Sequence, residues 1–148
     1  PAWSPADKCL FFTDLDQKKL FRLDPPKAVA VALDGGGRGK VGPDGTWYGM
    51  ANGSFVSWKP GEEPKVILDK APDGKPWEVN DVAVSAAGFA YLTTLKDPDK
   101  GRVTVVDLNK KTGAVAFDGE KDADLWNPNG VAVSPDGKAL YVGISSYA

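Results

Sequence analysis

The chain has 148 residues, 42% apolar and 26% charged, with 17 glycines and 12 prolines scattered along it, which is the composition of a folded, turn-rich chain and not of a disordered one. The formal net charge is −2 with acids and bases interspersed, so no basic stripe is available for a nucleic-acid backbone or an anionic membrane, and neither is expected as a partner. A single cysteine, Cys9, allows no internal disulfide, and the absence of histidine removes Ser-His-Asp and Cys-His catalysis and zinc–imidazole sites, leaving chemistry to carboxylates, amides, hydroxyls and lysines.

From the N-terminus, Trp3 leads through Ser4-Pro5-Ala6-Asp7 into the aromatic strand CLFFTD, and a second strand ends in Arg22-Leu23-Asp24. Asp14 and Asp16 between them suggest a calcium loop, but no further ligands follow at EF-hand spacing. With Lys18 and Lys19 alongside, the segment reads as a solvated hairpin tip. The longest aliphatic run, Ala28 to Leu33, is far short of the roughly 20 residues of a spanning helix, so a soluble chain is expected, in a compartment left open. Gly35-Gly36-Gly37-Arg38-Gly39-Lys40 looks superficially like a phosphate loop, yet its spacing is one residue short and Val41 stands where a Ser or Thr is needed. It is expected to be a connection between repeat units. In TWYGMANGSFVSW, Asn52-Gly53 joins two β-rich runs; both residues tolerate positive φ, so a type I′ turn fits and also accounts for the glycosylation-like Asn52-Gly53-Ser54. VNDVAVSAAGFAYLTT follows, then a loop with Asp97, Asp99 and Lys100, and finally NPNGVAVSPDGKALYVG. Apolar residues mostly alternate between turn signals, the pattern of half-buried strands, and no long helix is expected.

These segments repeat. Trp3-Ser4-Pro5-Ala6-Asp7, Val41-Gly42-Pro43-Asp44-Gly45, Val84-Ser85-Ala86-Ala87-Gly88 and Val133-Ser134-Pro135-Asp136-Gly137 each precede an aromatic-containing strand. Their anchors Pro5, Pro43, Ala86 and Pro135 lie 38, 43 and 49 positions apart, close to the roughly 40–50 residues of one four-stranded propeller blade. The expected fold is all-β, an incomplete β-propeller of four-stranded antiparallel blades, with blades at about 1–33, 39–68 and 80–117 and a truncated one from 129. Hairpins stacked in a sandwich are the alternative, since they share short strands and evenly spaced turns.

WSPADKCLFFTDLDQKKLFRLD, VNDVAVSAAGFAYLTT and, most specifically, NPNGVAVSPDGKALYVG resemble segments of the gluconolactonase/SMP-30 family. The resemblance implies a six-bladed propeller with one divalent cation, usually calcium, in its central channel. Carried over residue by residue, Asn129 falls on a metal-binding asparagine, and Asn80 on an asparagine that lines the same pocket and contacts substrate or ion. It also implies that the acidic metal ligands lie outside these 148 residues. Glu78 stands where some members carry a substrate-contacting arginine, inverting the charge expected there, and Ile144 stands where many have aspartate.

Trp77 and Trp126 each precede one of these asparagines by three residues and are candidate pocket walls. The expected function is metal-dependent hydrolysis of a sugar lactone or similar ester, with a general base that cannot be assigned to any residue. A non-catalytic propeller presenting loops to a partner is the alternative, and an open blade face implies self-association.

Overall fold

The computed structural model describes residues 1–26, 29–94, 101–119, 121 and 127–145, and among these are fourteen strands and no helix, hence none long and apolar enough to cross a membrane. The first sheet holds β1 (Ala2–Ser4), β2 (Cys9–Asp14), β3 (Lys19–Leu23) and β4 (Val29–Asp34). The second holds β5 (Gly36–Val41), β6 (Trp47–Ala51), β7 (Ser54–Trp58) and β8 (Lys65–Leu68). The third holds β9 (Val79–Val84), β10 (Phe89–Thr94), β11 (Arg102–Asp107) and β12 (Thr112–Asp118), and a two-stranded fourth holds β13 (Pro128–Val133) and β14 (Leu140–Ile144). Strands follow chain order within every sheet and pair antiparallel throughout.

The repeated turns join the first two strands of each sheet. Each contains one residue in the left-handed region: Lys8 at φ 52°, Gly45 at 78°, Gly88 at 83° and Gly137 at 72°. Three of the four are glycine because only glycine adopts that conformation without a Cβ penalty. The hairpin between β6 and β7 turns at Asn52 (φ 49°) and Gly53 (φ 85°), the two positive values a type I′ turn requires. At the β2–β3 tip, the Asp14 carboxylate accepts the backbone N–H groups of Asp16 and Gln17 at 3.0 and 2.9 Å, so this acid closes its own hairpin.

The core lies between the sheets. Cys9, Phe11 and Leu20 of the first sheet pack on Trp47, Ala51, Val56 and Trp58 of the second. From the opposite face of the second sheet, Phe55 and Ile67 pack on Val82, Ala90, Leu92 and Val106 of the third. Neighbours Phe55 and Val56 therefore serve different cores, as period-two alternation demands. No sheet buries both faces alone, so stability comes from stacking neighbours side by side.

The second sheet corrects one expectation. It begins at Gly36, not near Gly39, because the glycine-rich segment read as a connection is the strand β5. Gly39 pairs with Gly49 on β6. A Cβ on either would overlap the Trp47 indole, which is 1% exposed, so the two glycines form the slot in which that ring lies.

One turn gives the fold a pH response. Burial alone would raise the Asp44 carboxyl, but hydrogen bonds from Thr46 Oγ1 at 2.6 Å, from the Thr46 N–H at 3.1 Å and from the Tyr48 hydroxyl at 3.2 Å outweigh it and hold the group below the usual carboxylate range. In the fourth sheet, Asp136 is likewise lowered, by the Ser134 hydroxyl and then the Lys138 N–H. A carboxyl lowered by folding stabilises above its unfolded value of about 3.9 and loses that contribution as pH falls through the folded value. Asp44→Asn is accordingly expected to lower Tm at pH 7, with the gap to the unaltered protein closing as pH falls from about 5 to about 3. A gap in thermal melts that stayed constant over that range would show that the charge on Asp44 is not what the turn uses.

Candidate functional site

The first strands of the sheets, β1, β5, β9 and β13, lie beside one another in series, while of the outer strands β8 and β12 only touch. The sheets therefore fan out from their first strands. Residues distant in sequence but equivalent in the repeat are brought together at the inner edge.

Three of these inner strands carry a β-bulge. On β5, Gly37-Arg38 lies between the pairs Gly36↔Ala51 and Gly39↔Gly49. On β9, Asn80 is the extra residue between Val79↔Thr94 and Asp81↔Thr93. On β13, Asn129-Gly130 lies between Pro128↔Ile144 and Val131↔Val142. A bulge takes a residue out of the ladder and re-aims its side chain. Here the bulged side chains meet.

The Arg38 guanidinium donates through Nη1 to the Asn80 backbone carbonyl at 2.9 Å and to Asn80 Oδ1. Asn80 Nδ2 donates to Asn129 Oδ1. Asn129 Nδ2 donates to Ser145 Oγ at 2.7 Å, and Ser145 is anchored to Asn127, whose Nδ2 donates to its carbonyl at 2.7 Å and whose carbonyl accepts its N–H at 3.0 Å. The order of donors and acceptors follows from Arg38. A guanidinium has no acceptor, so Asn80 must present its oxygen to it; its NH₂ then faces Asn129, which must answer with oxygen and turn its own NH₂ to Ser145.

Threonines and an aspartate fix the backbone beneath. Thr13 Oγ1 of β2 donates to the Gly37 carbonyl at 2.7 Å, and Thr93 Oγ1 of β10 donates to the Asn129 carbonyl, each crossing from one sheet to the inner strand of the next. Asp81 accepts the Val82 N–H at 2.9 Å and the Val131 N–H of β13 at 3.0 Å. Both its oxygens accept from backbone N–H groups, so it positions β13 against β9.

Asn80 and Asn129, separated by 49 positions, thus hydrogen-bond to each other. Arg38 was missed by the sequence analysis because its strand lacks apolar alternation. Counting back from the turn would have found it: Arg38 stands five residues before Pro43, and Asn80 and Asn129 each six before Ala86 and Pro135. Trp77 lies apart from the amides. Its ring packs on Phe55, 6.1 Å between centroids, and its indole N–H donates to the Leu68 carbonyl at 3.3 Å, so it belongs to the core between the second and third sheets. Trp126 lies outside the described residues. Glu78 lines a cavity of about 270 Å³ with Arg102, Thr94 and Thr104, and the charged group that hydrogen-bonds the Asn80 amide is the Arg38 guanidinium.

The described residues alone do not complete a shell for a divalent cation. Calcium takes six to eight oxygens, carboxylates prominent among them. Among the described residues no three His, Cys, Asp or Glu side chains cluster, the Asn80 amide oxygen faces a guanidinium, and the Asn129 oxygen accepts from Asn80.

Side-by-side four-stranded sheets fanning from bulged inner strands, with a polar chain along that inner edge, define a segment of a β-propeller with a candidate site at its axis. The chain belongs to the SMP-30/gluconolactonase/LRE-like family, whose model matches residues 1–147. It is similar over its whole length to a gluconolactonase of Zymomonas mobilis subsp. mobilis, at 26% identity over 176 aligned positions, and covers 49% of that protein. The chain thus spans about half the length of that relative. Its fold is similar to that of a gluconolactonase from Xanthomonas campestris described as important in glucose secondary metabolic pathways. The TM-score is 0.78 at 21% identity, with 98% of this chain and 53% of the other covered.

Proposed function

We propose that the protein hydrolyses sugar lactones. The observation that carries this reading is the meeting of Arg38, Asn80 and Asn129 on three successive inner-strand bulges, in a chain that matches its family over residues 1–147. The name of the Zymomonas mobilis relative supplies the substrate class.

Hydrolysis adds water to the lactone carbonyl carbon; the ring C–O bond breaks, the ring oxygen takes a proton, and a hydroxy acid leaves. A polyhydroxylated ring must be held so that one carbonyl meets water, and that is a task for fixed donors and acceptors. Asn129 is exposed, and its remaining N–H and the Ser145 hydroxyl proton are directional donors set in place by the hydrogen-bonded chain. They orient the sugar hydroxyls.

The test is acid release from aldonolactones by the full-length protein, followed by pH-stat above the spontaneous rate. Asn129→Ala removes the link between Asn80 and Ser145, and is expected to lower kcat/KM by about 10²-fold. No acceleration by the unaltered protein on any aldonolactone would sink the reading.

A further inference from the structure

The geometry points to Arg38 as the recognition element for a carboxylate: the site binds the open-chain polyhydroxy acid through the guanidinium, with Asn129 and Ser145 beside it for hydroxyl groups. Arg38 sits on an inner strand, partly exposed, and none of the ion pairs among the described residues involves it. The other arginines at comparable exposure are paired, Arg22 with Asp24 at 2.8 Å and Arg102 with Asp73 and Asp118. Both hydrogen bonds of Arg38 run from Nη1. Its Nε and Nη2 make none among the described residues and are not buried.

Those two nitrogens form one planar side of the guanidinium, the side that grips a carboxylate through two parallel N–H···O bonds. The Nη1 contacts hold the plane still, and the Thr13 hydroxyl bound to the Gly37 carbonyl holds the bulge. The fork is thus set in advance, and less rotamer freedom is lost on binding. A neutral lactone offers this fork a carbonyl oxygen; the acid formed from it, after losing its proton, offers two oxygens and a charge. The site therefore favours product over substrate, and its reaction is inhibited by its own product. The inference rests on the lactonase reading only for the choice of acid.

Isothermal titration of the full-length protein with gluconate and with sorbitol, a neutral polyol of the same carbon number, tests it. Gluconate is expected to bind about ten- to a hundredfold more tightly, a charge-assisted pair being the difference. Arg38→Gln, which keeps length and a donor but no charge, is expected to abolish that preference, while Arg38→Lys keeps part of it and loses the two-point grip. An unchanged circular dichroism spectrum and Tm for Arg38→Gln shows that the fold is retained, and raised salt should weaken gluconate binding in the unaltered protein but not in Arg38→Gln. Equal affinity for gluconate and sorbitol, no gluconate binding, or an unchanged preference in Arg38→Gln each overturns the inference. Arg38-dependent gluconate binding without lactone hydrolysis overturns the lactonase reading alone. Hydrolysis with Arg38-independent gluconate binding overturns this inference alone.

Discussion

Gly49→Ala should destabilise the protein by about 3 kcal/mol, although it adds one methyl group. The new Cβ would overlap the Trp47 indole and stand 2.6 Å from the Arg38 carbonyl. Trp47 cannot swing away. It is 1% exposed, pairs with Trp58 across the hairpin, and is packed between Cys9, Phe11 and Leu20 on one side and its own sheet on the other. The backbone must yield instead, and the backbone opposite is the bulge that aims Arg38. Stability and site are therefore coupled at this glycine. Chemical denaturation should show the loss, and Trp47→Leu in the same chain should recover at least about 1 kcal/mol of it through a non-additive cycle, because the smaller side chain vacates the slot. Additive effects in that cycle would mean that Gly49 serves something other than ring clearance.

The glycines also explain where sequence reading succeeds and where it fails. Turn chemistry was legible: Pro-Asp-Gly and its variants, and Asn52-Gly53, are local devices whose φ requirements select the residues, and they placed the sheets and the repeat. The convergence of Asn80 and Asn129 was legible too, because a repeat turns equal offsets into equal places. β5 was not. A strand of glycines shows no alternation when its apolar face is filled by a ring from the neighbouring strand, and Trp47 fills it here. Bulges are equally silent, since an inserted residue only breaks a period-two pattern that short strands barely establish. Trp77 carried an ambiguous signal: three residues before Asn80, a tryptophan suits a pocket wall and a core equally, and Phe55 on the adjacent sheet decides for the core.

The polarity of the hydrogen-bonded chain leads to the second large effect, in which function falls while the fold stays. Asn80→Asp keeps the shape of the side chain and keeps an oxygen facing Arg38, now as an ion pair. It removes the donor that faces Asn129. Two oxygens would then oppose each other, and the Asn129 amide can relieve this by turning over: its NH₂ meets the new carboxylate and its oxygen accepts the Ser145 hydroxyl proton. Every group is again satisfied, so Tm should be unchanged or slightly raised. The chain now runs the other way, however. The guanidinium charge is offset from the Nη1 side, while its Nε–Nη2 side stays open, and the Ser145 proton is turned inward, so a ligand loses the net charge and that donor. On the lactonase reading, kcat/KM should fall by about 10²-fold. Gluconate binding should lose its advantage over sorbitol. The deficit should be flat between about pH 5 and 8, because the guanidinium keeps the introduced carboxyl ionised well below that range. Asn80→Ala provides the contrast, since it takes one hydrogen bond from each neighbour, leaving Arg38 Nη1 only the backbone carbonyl of residue 80 and Asn129 only Ser145, and should lower stability by about 1–2 kcal/mol as well as activity. Full activity in a stable Asn80→Asp variant would show that the direction of the chain set by Arg38 has no part in the reaction.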